Sequence, residues 1–278
     1  MIGLVDFGTS IAFVPSVVGS PDWIDDRFHG THVAGSIVTN GIGSSGVAPH
    51  TRLMAVKVLN VNGSGSFANI TAGIMHAADN GADIINMSLG VPGGIPMNLP
   101  GAGRLMASVN KAVNYANRHG VLVVSAAGNN AIDMQHSGNS AFTPCENGAG
   151  ICISATGPTD ALASYSNFGK SAVAVAAPGG DFAVTGNPFT STVLSPCSSF
   201  SVFFACGAGT SYLFAQGTSM ATPHAAGVAA LIAAQSPGGT NAGQLKTKLQ
   251  QSADDLGRRG TDAAFGKGRV NACAAVDC

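Results

Sequence analysis

Charged and aromatic residues are scarce in this sequence. Of its 278 residues, 10% are Asp, Glu, Lys or Arg and 6% are aromatic, with a single Trp. The 13 basic and 14 acidic residues give a formal net charge of −1 at pH 7. A protein that follows the phosphates of a nucleic acid needs an excess of basic residues, so we expect no nucleic-acid partner.

The sequence also lacks a long apolar run. Hydrophobic residues make up 45% of the chain, which is enough for one large core. Gly, Ser, Asn or Pro nevertheless interrupts each uncharged stretch before the ~20 apolar residues that span a bilayer. Met1 opens a short apolar run that ends at Asp6, without the basic flank of a signal peptide. We expect one domain over residues 1–278, no membrane partner, and any secretion signal already removed.

The six cysteines lack the spacing of a metal site. None of them forms the C-x-x-C pair that zinc sites usually contain. They fall into three pairs of close neighbours, although six cysteines allow many connectivities and the sequence does not fix one. Disulfides would indicate an oxidising, extracellular environment, and small buried thiols are the alternative. The disulfide candidates are Cys145, Cys152, Cys197, Cys206, Cys273 and Cys278.

Apolar runs alternate along the chain with helical patterns. Mostly continuous apolar runs are typical of strands that are covered on both faces. Their alternation with helices predicts a three-layer α/β/α fold with a mainly parallel, doubly wound sheet. The predicted strands are 2–5, 52–59, 83–89, 121–127, 151–156 and 172–177, and the clearest helices are 29–40, 67–80 and 103–120.

One segment has the pattern of a dinucleotide-binding fingerprint in the wrong context. Residues 41–46 read GIGSSG and match G-x-G-x-x-G. That fingerprint requires a strand before it and a helix after it, whereas this segment follows a helical pattern and leads into a predicted strand. We predict a turn there and no dinucleotide cofactor.

Polar residues that follow the apolar runs are the first candidates for chemistry, because ligands bind at the carboxyl ends of parallel strands. Asp6 ends the first run, Asn129 follows the run 121–127, and Ser88 lies near the end of the run 83–89. Ser219 precedes an unbroken apolar helix, whose N-terminus favours a developing negative charge. The same position also suits an ordinary helix N-cap.

A nucleophilic serine needs a base and a group that orients the base. His29 is predicted at a helix start, where its side chain can project into a cleft, and His32 follows one turn later. A histidine pair at this spacing can bind a metal. The segment has neither the H-E-x-x-H pattern nor an adjacent acidic ligand, so we expect no catalytic metal.

Six segments of the chain, in their order, resemble the subtilisin and proteinase K type serine peptidases, the subtilases. The resemblance covers most of the chain, and the serine segment is its most specific part. The order Asp6, His29, Ser219 is also that of subtilisin, unlike the order in α/β-hydrolases. The segments are HGTHVAG (29–35), INMSLG (85–90), SAAGNN (125–130), AAPG (176–179), GTSMATPHAAGVAALI (217–232) and GKGRVNA (266–272).

The resemblance implies a role for each of these polar residues. Ser219 would be the nucleophile, and His29 the general base and then acid. Asp6 would orient His29, and His32 would be structural. Asn129 would donate a side-chain hydrogen bond to the oxyanion, together with the backbone N–H of Ser219.

The resemblance also implies where a peptide binds. The substrate backbone would add as a strand between two edges of the cleft. One pocket would hold the substrate residue before the scissile bond. The small residues that line this pocket indicate a roomy, uncharged slot, so we expect substrates with an apolar or aromatic residue at that position. The edges are Gly63, Ser64 and Gly65, and Ser88, Leu89 and Gly90, and the pocket residues are Ala126, Ala127 and Gly128.

The N-terminal region departs from the family pattern. Phe7 follows Asp6 where a small or acidic residue is usual. Asp25 and Asp26 are therefore alternative acids, although neither ends a predicted strand. We expect the family's leading segment and propeptide to be missing, because the first predicted strand begins next to Met1.

Calcium ligands depart from the family pattern as well. Ala174 stands roughly where relatives have a carboxylate, and only scattered acids such as Asp160 and Asp181 remain. Calcium needs several oxygen ligands. We expect no cofactor for the chemistry and leave a structural calcium ion open.

The expected protein is a secreted, monomeric serine endopeptidase that acts on proteins or peptides and matures by cleavage of a propeptide. One alternative is an inactive relative or a peptide-binding domain with the same fold. Another is an esterase that uses the same three residues.

Overall fold

Ten strands are present in the described part of the chain. The computed structural model describes residues 2–4, 25–202, 206, 211–236 and 239–278. The strands there are β1 (Ile2–Leu4), β2 (Leu53–Ala55), β3 (Ile84–Met87), β4 (Ile95–Pro96), β5 (Leu122–Ala126), β6 (Ser140–Ala141), β7 (Ile151–Thr156), β8 (Val173–Pro178), β9 (Val193–Cys197) and β10 (Ser211–Ala215).

Six of these strands form one parallel sheet in the order β2-β1-β3-β5-β7-β8. They coincide with the six predicted strands, so the predicted sheet is confirmed. Every residue of β3, β5 and β7 is buried, as expected between two covering layers. Outside this sheet β4 pairs with β6, and β9 pairs with β10, both antiparallel. The β9–β10 hairpin was not predicted.

Helices cover both faces of the sheet. Successive strand residues point to opposite faces: Ile84 packs with Ile37 and Leu245, whereas Ile85 packs with Ile74 and Val113. No helix of the described ranges is long and apolar enough to cross a membrane. The helices are α1 (His29–Val38), α2 (Phe67–Asp79), α3 (Ala102–Arg118), α4 (Phe182–Thr185), α5 (Pro188–Ser191), α6 (Thr218–Ala234), α7 (Ala242–Gln251) and α8 (Ala272–Val276), with a 3-10 turn at Met134–His136.

Neighbouring cysteines pair in three disulfides. The pairs are Cys145–Cys152, Cys197–Cys206 and Cys273–Cys278. The predicted disulfide candidates are thus confirmed, in the connectivity that joins near neighbours. The first bond ties the segment before β7 to that strand, and the second starts at Cys197, the last residue of β9.

The glycine-rich segment 41–46 is a turn, as predicted. The backbone N–H of Gly41 donates to the carbonyl of Ser44, and that of Gly46 donates to the carbonyl of Thr39. The segment follows α1 and precedes β2. A dinucleotide would require the reverse order of elements around these glycines.

Candidate functional site

One cleft brings together most of the predicted functional residues. It has a volume of about 500 Å³ and is lined by His29, Asn129 and Ser219. These residues come from the start of α1, the segment after β5 and the start of α6. All nine predicted substrate-binding residues line the same cleft, namely Gly63, Ser64, Gly65, Ser88, Leu89, Gly90, Ala126, Ala127 and Gly128.

The fourth predicted catalytic residue, Asp6, lies outside the described residues, as does Phe7. β1 ends at Leu4, whose backbone is in register with Ala55 of β2 and Asn86 of β3. The carboxyl end of β1 therefore adjoins that of β3, which leads into the cleft. The role of Asp6 stays a prediction.

Closely packed glycines shape the turn that precedes Ser219. Gly217 precedes α6 with a φ of 151°, and its N–H donates to the carbonyl of Gly179 at 3.0 Å. A Cβ on Gly179 would lie 2.6 Å from the Cβ of Ala155 and 2.7 Å from the Gly217 carbonyl oxygen. Only glycine fits there. Ser219 is consequently held half-buried at the first turn of α6, facing the cleft.

Asn129 has one end of its amide fixed and the other available. Its Oδ1 accepts hydrogen bonds from the backbone N–H of Thr218 at 2.8 Å and from the Thr218 hydroxyl at 2.9 Å. That hydroxyl in turn accepts from the N–H of Gly128 at 3.1 Å. Since Oδ1 is occupied, Nδ2 is the group that can donate into the cleft, where Asn129 is exposed.

Asp25 fixes the turn that carries His29. Phe28, the N-cap residue of α1, provides no side-chain cap. Asp25 replaces it: Oδ2 accepts from the N–H and the hydroxyl of Thr31 at 2.7 and 2.6 Å. Its Oδ1 accepts from the N–H groups of Arg27 and Phe28 at 3.1 and 2.9 Å. These bonds hold Phe28 at a φ of 122°, which bulky residues seldom adopt.

The two alternative acids therefore have other partners. The hydrogen bonds of Asp25 go to the turn before α1, and Oδ2 of Asp26 lies 3.0 Å from Nζ of Lys57. Both residues line the cleft beside His29. Their contacts favour structural roles and leave Asp6 as the preferred orienting acid.

His32 lies on α1 and has no exposed surface. Its side chain faces the β9–β10 hairpin in the core. Its Nε2 lies 3.2 Å from the carbonyl oxygen of Val193 and 3.0 Å from that of Leu213. Nε2 must carry the proton, because both neighbours are acceptors. Burial lowers the pKa of His32 to about 4, although the hydrogen bond to Leu213 opposes this shift. The neutral side chain links the helix of His29 to the hairpin.

We expect the buried His32 to make stability depend on pH. The unfolded chain binds a proton near pH 6.5, whereas the folded chain binds it only near pH 4, so protonation favours unfolding. The free energy of unfolding should fall by about 3 kcal/mol between pH 7 and pH 4 on this account. Urea unfolding at several pH values measures it, in the Ser219→Ala background to prevent self-digestion.

The variants for this measurement are His32→Gln and His50→Gln. Gln retains a donor for the Val193 or Leu213 carbonyl but does not titrate, so His32→Gln should make the slope smaller. His76 and His224, whose pKa burial also lowers, account for part of the slope that remains. His50 is exposed, and its replacement should leave the slope unchanged. Equal slopes in the parent and in His32→Gln would contradict the assignment.

One wall of the cleft was not predicted from the sequence and is formed by residues 142–145 and Val109. A Cβ on Gly90, at a predicted substrate edge, would lie 3.4 Å from the carbonyl oxygen of Thr143. Glu146 anchors this wall by accepting the N–H of Phe142 at 2.8 Å. These residues form no periodic sequence pattern that would predict a place in the cleft. Only the folding of the chain brings them to it.

Metal-ligand clusters are not found in the described ranges, where no three His, Cys, Asp or Glu side chains are grouped to hold an ion. Asp160, one of the scattered acids, pairs with Arg269. Asp181 accepts hydrogen bonds from the N–H and the hydroxyl of Ser164. Both carboxylates are engaged within the protein.

Comparison with known proteins gives consistent matches over the chain. A sequence profile described as the subtilase family matches residues 17–268. A thermophilic serine proteinase of Bacillus sp. (strain AK1) is 36% identical over 270 residues, which cover 94% of this chain and 56% of that protein. The alkaline elastase YaB of Bacillus sp. (strain YaB) is 38% identical over 267 residues, with coverages of 95% and 58%. The chain thus spans a little over half the length of these relatives.

The fold has close counterparts among solved structures. The crystal structure of a lanthipeptide protease superposes with a TM-score of 0.85 at 27% identity. The match covers 99% of this chain and 86% of that protein. The predicted arrangement of a parallel sheet between helical layers is the one found in these proteins.

Proposed function

Because the chain belongs to the subtilase family, we propose that it is a secreted serine endopeptidase that hydrolyses peptide bonds through an acyl-enzyme. The single observation that carries the proposal is the cleft that contains His29, Asn129 and Ser219 on three separate elements. A nucleophile, a base and an oxyanion donor are the groups that acyl transfer requires. The three disulfides support an extracellular location.

In the proposed reaction Ser219 attacks the scissile carbonyl while His29 takes the hydroxyl proton. Asp6 orients His29 and stabilises its positive charge. The oxyanion accepts hydrogen bonds from Nδ2 of Asn129 and the N–H of Ser219. His29 then returns the proton to the leaving amine, and water hydrolyses the acyl-enzyme by the same steps. No metal or cofactor takes part in this scheme, which neither requires nor rules out a structural calcium ion. The protein acts as a monomer after a propeptide has been cleaved from it.

We propose proteins and peptides with an apolar or aromatic residue before the scissile bond as substrates. Most residues that line the cleft carry no charge, and those that the resemblance places beside the pocket, Ala126, Ala127 and Gly128, are among them. The ionisable side chains of the lining are those of Asp25, Asp26, Arg27 and His29. A charged substrate side chain would lose its hydration in the pocket without gaining a partner. The names of the relatives, proteinases and a lanthipeptide protease, support peptide substrates.

A fluorophosphonate probe tests the proposal directly. The probe should form one adduct, located on Ser219 by peptide mapping, and the Ser219→Ala variant should form none. Peptides that differ only in Phe or Lys before the cleaved bond then measure the preference. A folded protein that gives no adduct would contradict the proposal and favour the inactive or peptide-binding alternative.

A peptide and a simple ester as paired substrates separate the proposal from the esterase alternative. The peptidase should cleave both, because an acyl-enzyme forms from either substrate. Cleavage of the ester alone, by unlabelled enzyme from a preparation that reacts with the probe, would favour an esterase.

A further inference from the structure

The carbonyl of Ser219 lacks the partner that an α-helix normally provides. In α6 the donor for this carbonyl would be the backbone N–H four residues later. That residue is Pro223, which has no N–H. An uncompensated carbonyl next to the nucleophile would leave the first turn of α6 loosely held.

Ser88, in the segment that follows β3, provides the missing donor. Its Oγ lies 2.8 Å from the carbonyl oxygen of Ser219, and the Ser219 hydroxyl in turn donates to the carbonyl of Ser88 at 3.2 Å. Nδ2 of Asn86 lies 3.0 Å from the same Ser88 Oγ. An amide NH₂ can only donate, so Ser88 accepts from Asn86 and its single hydrogen is directed to Ser219.

We propose that Asn86 and Ser88 are positioning residues that hold the Ser219 carbonyl, in place of the helical N–H removed by Pro223, and thereby aim the Ser219 hydroxyl at the substrate. The inference rests on the proposed role of Ser219 as nucleophile. It adds a role for the Ser88 side chain, which is separate from the backbone role of Ser88 at the substrate edge.

Burial supports this assignment. Asn86 and Ser88 are 0% and 2% exposed, so water does not compete for their hydrogen bonds. Oδ1 of Asn86 has no hydrogen-bond partner among the described residues. The other end of the same amide fixes the direction of the Ser88 hydroxyl.

The first experiment compares Ser88→Ala with Ser154→Ala. Ser154 is a matched control because it is also fully buried, and its Oγ also donates to a carbonyl, that of Ala264, at 2.6 Å. Both variants lose one buried hydrogen bond, so both should lower the unfolding temperature. Only Ser88→Ala should lower kcat, by about 10- to 100-fold, with KM for a peptide little changed.

The second experiment restores the donor by another route. Pro223→Ala introduces a backbone N–H that can donate to the Ser219 carbonyl. In the Ser88→Ala background this change should recover most of the lost kcat. Recovery of kcat would show that Ser88 acts by positioning Ser219. A general loss of packing around Ser88 would not be repaired by a new N–H at residue 223.

The outcomes distinguish this inference from the proposed function. Parent enzyme without turnover or adduct would overturn both. Active parent enzyme with an unchanged kcat in Ser88→Ala, or an equal loss in Ser154→Ala, would overturn the inference alone. If Ser88→Ala does not fold, Ser88→Cys replaces it, because a thiol of similar size is a weak donor; an unchanged kcat there would again overturn the inference.

Discussion

Replacing Ser219 with Ala is expected to lower kcat for peptide hydrolysis by about 10⁶-fold, the order found when the triad of subtilisin is broken. The same loss is expected for His29→Ala, because neither group can form the acyl-enzyme without the other. Single-turnover measurements with a fluorogenic peptide cover this range. Thermal unfolding should show both variants folded, since both residues line an open cleft.

The double variant sharpens this prediction. Residues that act as one unit give losses that do not add, so Ser219→Ala with His29→Ala should be no slower than either single variant. Multiplied losses would mean that the two residues act in separate steps. A loss below about 100-fold in Ser219→Ala would reject Ser219 as the nucleophile, because the oxyanion hole and substrate binding alone sustain only weak turnover.

The acid of the triad is tested by three replacements. Asp6→Ala should lower kcat by about 10⁴-fold, the order for the orienting acid of subtilisin. Asp26→Ala should change kcat little, since Asp26 pairs with Lys57. Asp25→Ala removes a cap at the start of α1 and should lower stability by about 1–2 kcal/mol, with a smaller effect on kcat than Asp6→Ala. The largest loss at Asp25 or Asp26 would reverse the assignment.

A matched control is available for the loss of a helix cap. Asn241 caps α7 by accepting the N–H of Gln244 at 3.0 Å, and this helix does not contribute to the cleft lining. Asn241→Ala should therefore lower stability by about as much as Asp25→Ala, without any change in kcat. A change in kcat seen only in Asp25→Ala then measures how strongly the His29 turn depends on its cap.

The central sheet could be predicted from the sequence because burial on both faces leaves a local pattern. β7 (Ile151–Thr156) is buried throughout, and its sequence is correspondingly free of charge. The β9–β10 hairpin has no such pattern: Pro196 lies within β9, and all of β10 is only half-buried. Residues 198–210 join its two strands, a connection longer than the short loops that signal a hairpin in a sequence. Pattern alone therefore does not reveal the hairpin.

The candidate site residues could be predicted where the proposed chemistry requires particular residue types in sequence. His29, Ser219 and Asn129 lie in segments whose neighbours repeat a family pattern. Asp25 could not be recognised as the cap of α1, since a cap normally occupies the N-cap position, which here is Phe28. Asn86 lies within the apolar strand β3, where the sequence pattern does not distinguish it. Its contact with Ser88 can be interpreted only together with Pro223, which lies far along the chain in α6.

Asn129→Leu is expected to lower kcat by about 10²- to 10³-fold, the magnitude for loss of the side-chain oxyanion donor in subtilisin. Leu has a similar volume but cannot donate. The donor acts on charge that develops in the transition state, so KM should change little. Steady-state kinetics with a peptide substrate measure both constants. A kcat within about threefold of the parent value would mean that other groups bind the oxyanion.

The Thr218 contacts require a control, because Asn129 also holds the residue before Ser219. Its Oδ1 accepts from the N–H and the hydroxyl of Thr218, and Asn129→Leu removes these bonds together with the donor. Thr218→Val removes only the hydroxyl, because Val has nearly the shape of Thr, and the site is fully buried. This variant should lower kcat by only about fivefold. A loss as large as that of Asn129→Leu would assign the effect to the position of Ser219. A clearly larger loss of kcat in Asn129→Leu would assign the effect to Nδ2 of Asn129. This group can donate into the cleft because Oδ1 of the same amide is held by Thr218.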